Sequence, residues 1–90
     1  MNVPTYLQAS NEFQAVEIIV DGAAVTTGVE IGTTTSETVD APDDWTEAVI
    51  LAGVVGVMTG GRTHGYHRVF ARVDSTPETI VLEAGRFYID

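Results

Sequence analysis

His64 and His67 stand in a His-x-x-His spacing, at which two imidazoles can share a zinc ion when both lie on one side of the chain. No cysteine and no second histidine pair completes a ligand set. The flanking pattern puts His64 in a loop and His67 on a strand, so a loop histidine beside a partly buried strand histidine is expected, without metal. Asp40, Asp43 and Asp44 could offer oxygens to calcium. The alternating spacing and central glycine of a calcium loop are missing, and a solvated acidic loop is expected. Gly60-Gly61-Arg62-Thr63 has the glycines of a phosphate cradle but neither its lysine nor its preceding spacing. The hydroxyls from Thr33 to Ser36 are nucleophile atoms, yet nothing in the sequence sets a base beside one. The chain is read as non-enzymatic, with no cofactor.

Tyr66, Arg68, Phe70 and Arg72 alternate with His67, Val69, Ala71 and Val73, which defines an extended segment with two unlike faces. The first four are a candidate partner interface, because arginines and aromatics anchor protein contacts. The competing reading is a solvated outer face in which arginine stems cover Phe70.

The other elements follow the same period. Phe13 to Val20 reads as a strand with Gln14, Val16, Ile18 and Val20 on one face, closed by an Asp21-Gly22 turn. Val29 to Thr35 is a threonine-rich strand. Ser36 to Asp44 is a polar connection around Pro42, and Trp45 after it is read as a core anchor. Ala48 to Met58 is the longest apolar run. It divides into strands Val49–Leu51 and Val54–Met58 around Ala52-Gly53; a helix is the alternative, opposed by its valines and glycines. Thr59 to Gly65 is a loop and Asp74 to Glu78 a turn. Thr79 to Glu83 and Arg86 to Ile89 are strands separated by a bulge or bend at Gly85. About seven short strands within one domain, residues 1–90, point to an all-β antiparallel sandwich.

Composition narrows the function classes. Thirteen acidic residues stand against four arginines and no lysine, for a net charge of −9. That balance opposes binding to nucleic acid, which requires cations to displace phosphate counterions, and to anionic membranes. A high-GC genome or a salt-adapted host would each produce it. Ala48 to Met58 is shorter than the ~20 residues that cross a bilayer. Met1 to Ser10 has no basic stretch followed by an apolar core, so no secretory leader and synthesis in the cytoplasm are expected.

The second half carries a resemblance. Asp43-Asp44-Trp45, the strand Gly65-Tyr66-His67-Arg68-Val69-Phe70-Ala71-Arg72-Val73, the turn Asp74-Ser75-Thr76-Pro77-Glu78 and the segment Val81-Leu82-Glu83-Ala84-Gly85-Arg86 resemble the small immunoglobulin-like virion proteins of tailed phages, particularly those of actinobacterial hosts. These proteins are encoded among the head and head–tail genes. The match spans Asp43 to Ile89. Two features depart from the pattern: His67 takes a position more often held by an inward aromatic residue, and lysine is absent. The resemblance implies an immunoglobulin-like sandwich and a virion location. It leaves open whether the copy sits on the capsid shell or at the head–tail junction; the first expectation is a capsid decoration or minor capsid subunit, present in many copies and contacting the major capsid protein. A head–tail connector or adaptor ring built with connector subunits is the alternative. A carbohydrate- or receptor-binding module is a third reading, in which Trp45, Tyr66 and Tyr88 stack on sugar rings.

Overall fold

The computed structural model describes residues 3–38, 42, 44–75 and 78–90. Among them the chain is all-β, with ten strands and no helix. They are β1 (Thr5–Tyr6), β2 (Phe13–Ala15), β3 (Ile19–Val20), β4 (Ala23–Ala24), β5 (Val29–Thr34), β6 (Thr46–Glu47), β7 (Val49–Leu51), β8 (Val54–Met58), β9 (Gly65–Ser75) and β10 (Glu78–Ile89). A five-stranded sheet has the order β1-β10-β9-β5-β6, a three-stranded sheet the order β2-β8-β7, and β3 and β4 pair as a separate ribbon. All pairings are antiparallel except β1 with β10. The arrangement is consistent with a small β-sandwich.

The core lies between the two larger sheets. Val29 and Ile31 of β5, Val69, Ala71 and Val73 of β9, and Phe87 and Ile89 of β10 meet Val55 and Val57 of β8. These are the inward positions of a period-two pattern, and β9 follows the expected division: His67, Val69, Ala71 and Val73 are buried on the inner side. The hairpin β7–β8 also has the expected bounds. Its turn residues Ala52 and Gly53 have φ of 53° and 79°, the twist that matches two antiparallel strands joined by two residues.

Several expectations change. Ten strands replace about seven, partly because the expected strand from Phe13 to Val20 splits into β2 and β3. Val16 and Ile18, between them, remain buried in the core. Alternation there reports burial, and backbone bonding continues at both residues: Val16 N–H donates to the Val55 carbonyl and Val25 N–H to that of Ile18, each at 2.9 Å. β1 arises in a stretch with no strand signal; Tyr88 donates to the Pro4 carbonyl and Asp90 to that of Tyr6, each at 2.9 Å. The two C-terminal strands merge into β10. Their register shifts between Glu83 and Gly85, so Ala84 is the extra residue.

Trp45 is no core anchor. It is half-buried outside the core, and the Arg72 guanidinium lies 4.7 Å from its ring centroid. Asp40, Ala41, Asp43, Thr76 and Pro77, which belong to the expected acidic loop, the Asp-Asp-Trp match and the Pro-Glu turn, lie outside the described residues.

Candidate interaction surface

Two of the residues singled out for chemistry, His67 and Arg62, are engaged in structural contacts. His67 is buried, stacked on Phe87 with ring centroids 5.3 Å apart, and its Nε2–H donates to the Thr63 carbonyl at 2.8 Å. His64 is exposed. Among the described residues no group of three or more His, Cys, Asp or Glu is placed to hold a metal ion.

Arg62 turns inward rather than toward a ligand. Its Nε and Nη2 donate to the Met58 carbonyl (3.2 and 3.0 Å), its Nη1 donates to Thr33 Oγ1 (2.6 Å), and its guanidinium lies 5.5 Å from the Phe87 ring centroid. It thereby ties β8, β5 and β10 together. Burial pushes its pKa down from the ordinary value. Tyr6 donates to Gln14 Oε1. Burial first, and then the charge of Glu12, raise its phenol pKa.

Tyr66, Arg68, Phe70 and Arg72 do share the outer face of the five-stranded sheet. Phe70, however, is only 3% exposed, and the Arg68 guanidinium lies over its ring. The covered-phenylalanine reading therefore describes Phe70, and an exposed Phe70 anchor is corrected. Opposite Phe70 in register is Gly32, where an added Cβ would meet Pro42 Cγ and the Asp44 carbonyl oxygen. Pro42 and the Asp44 backbone thus close over this row.

The arginines of that face are paired at home. Arg68 Nη2 reaches Glu83 Oε1 at 3.1 Å, and Arg68 Nη1 donates to the Ser36 carbonyl at 2.8 Å. Arg86 lies 3.6 Å from both Glu83 and Glu37. Arg72 Nη2 donates to Glu30 Oε1 at 2.8 Å. The bulge at Ala84 makes the first network possible. It resets the alternation so that Glu83 and Arg86 both face outward, opposite Phe70 and Arg68. The Arg68 hydrogen bond, aided by Arg86 and opposed by desolvation, lowers the Glu83 pKa.

Tyr66 is half-exposed and packs edge-on against Tyr88, with centroids 4.8 Å apart. Trp45 sits at the Arg72 level of β9, six residues or about 20 Å from Tyr66 along an extended strand. The three aromatics do not form one stacking platform.

The unsatisfied surface is on the other sheet. Register places Phe13 with Met58, Ala15 with Gly56, Val49 with Gly56, and Leu51 with Val54. All of these occupy the outer face of β2-β8-β7, and none is polar. Phe13 crosses this face so closely that a Cβ at Gly56 would strike its ring. Val49, Leu51 and Val54 are 37%, 56% and 44% exposed, and Ile50, on the opposite face of β7, is 49% exposed.

A solvated antiparallel sheet normally carries polar side chains outward, and an uncharged apolar edge strand templates association. Covering these four half-exposed side chains is worth about 4 kcal/mol before ordering costs. Two shallow depressions flank the hairpin. One, of about 390 Å³, includes Ala15, Glu17, Gly53 and Val54; the other, of about 460 Å³, runs between Thr26–Glu30 and Glu47–Ile50. The signal available in the sequence was the uninterrupted apolar run itself. Its flanks gave strand positions but not which face lacked a cover.

In comparisons with known proteins, no family model, no curated protein and no solved structure matches this chain.

Proposed function

We propose that the chain is a non-catalytic structural subunit of a tailed-phage virion, with an immunoglobulin-like sandwich, that docks on the head shell as a decoration or minor capsid protein. The observation that carries this reading is the wholly apolar outer face of β2-β8-β7, joined to a free edge strand. Such a surface suits a protein that works while covered by a neighbour. The resemblance of Asp43 to Ile89 to virion proteins supplies the setting. Weak docking of each copy suffices, because repetition over a symmetric shell multiplies its effect. The net charge of −9 suits a subunit that touches proteins rather than DNA or an anionic membrane.

Quantitative mass spectrometry of purified particles tests the proposal. Hundreds of copies per particle are expected for a shell subunit. About a dozen would favour the connector ring instead, and absence from particles would overturn both virion roles.

A further inference from the structure

The free edge of β7 carries a more specific inference, which rests on the reading of the chain as a docking subunit. Leu51 pairs with Val54 across a two-residue turn and Val49 with Gly56. In such a hairpin the turn-flanking pair is hydrogen-bonded and the next pair is not. The N–H and C=O of Ile50 therefore point away from β8. Among the described residues neither has a partner, since β7 ends its sheet. The residue two positions earlier is occupied: Ala48 N–H donates to the Val29 carbonyl at 3.1 Å, and both residues line the adjoining depression.

The groove has an electrostatic feature of its own. Glu30 and Glu47 are direct cross-strand partners on β5 and β6, a like-charge placement that is unfavourable by itself. Arg72 compensates Glu30. Glu47 has no ion pair among the described residues, although it lines the groove beside Ile50. Three arginines are committed to carboxylates on the outer face of the five-stranded sheet, and Arg62 is committed to Met58 and Thr33. Among the described residues all four arginines are thus engaged elsewhere, and none meets Glu47.

We propose that the β7 edge accepts an extended segment of a partner protein as an added strand, with apolar side chains over Val49, Ile50 and Leu51 and an arginine or lysine meeting Glu47. Main-chain pairing at Ile50 supplies the register, and the glutamate supplies the choice of partner. A second copy of this chain is the poorer occupant. It brings another −9 of charge and no unpaired arginine.

The probes are two short synthetic peptides that alternate valine and threonine, one with an arginine near its end and one with glutamate in its place. With the full chain, the arginine peptide slows amide exchange at Ile50, and the glutamate peptide does not. Glu47→Gln weakens the arginine peptide by about fivefold, while Glu12→Gln leaves it unchanged. Equal binding of both peptides, or no change at the Ile50 amide, overturns the proposal. So does a dimer, seen by sedimentation, that Ile50→Lys abolishes.

In particles, wild-type chain present with Ile50→Lys incorporated equally well would overturn this docking site and leave the virion role standing. Wild-type chain absent from particles, with selective peptide binding retained, would overturn the virion role alone. Far-UV circular dichroism of Ile50→Lys controls for folding.

Discussion

The guanidinium carbon of Arg68 lies 4.8 Å from the ring centroid of Phe70, and this contact converts an outward-facing phenylalanine into a buried one. Arg68 is held there by Glu83 and by the Ser36 carbonyl. Phe70 is buried but lies outside the apolar cluster between the sheets. Phe70→Ser is therefore expected to destabilise the fold by about 3 kcal/mol, the usual scale for removing a buried ring. Arg68→Ala should cost less, about 1 kcal/mol. Urea unfolding of the two variants checks the order; a Phe70→Ser protein as stable as wild type would mean the ring has no structural role.

Gly32 carries a related expectation. It faces the same row, and Pro42 and the Asp44 carbonyl occupy the space a side chain would need. Gly32→Ala must push that connection outward, at about 1–3 kcal/mol. The melting temperature should fall, and Trp45 fluorescence should shift because Trp45 follows the displaced segment.

The β7–β8 turn offers a gain. Ala52 occupies a left-handed conformation, φ 53°, that costs an ordinary residue about 1 kcal/mol and that asparagine tolerates. Ala52→Asn is expected to raise stability by about that amount in thermal melts. The contrast with Asp21, φ 52°, in the other turn is useful, because an aspartate already fills that position.

Acid should weaken the outer-face network in a defined direction. The Arg68 hydrogen bond holds the Glu83 pKa below the ordinary carboxylate range. A depressed carboxylate adds stability above its unfolded-state pKa of about 4.3, and that contribution is lost as pH falls through the lower folded-state value. Glu83→Gln should flatten this acid limb and leave the others in place. The effect is modest and shrinks with added salt, because Glu83 is partly exposed.

Local chemistry made part of this molecule legible. Alternation from Tyr66 to Val73 sorted β9 correctly into a buried and an outward face, and Ala52-Gly53 marked the hairpin because glycine favours the turn's positive φ. Sequence spacing offered both an exposed and an arginine-covered Phe70 and could not choose, since the roof depends on Glu83, fifteen residues from Arg68, and on the carbonyl of Ser36. Trp45 misled for a similar reason: its ring found the cation of Arg72, across the sheet, instead of the core. Arg62 sits in a glycine-rich loop that lacks the lysine and spacing of a phosphate cradle, and its partners Thr33 and Phe87 come from distant strands. The apolar outer face of β2-β8-β7 could not be read at all until register set Phe13 beside Met58 and Leu51 beside Val54.

On the docking reading, the apolar hairpin is covered when the protein is at work. Hydrogen–deuterium exchange of residues 49–54, compared between the free chain and purified particles, tests it most directly. Strong slowing in the particle, centred on Ile50, is expected; equally fast exchange in both states would contradict it.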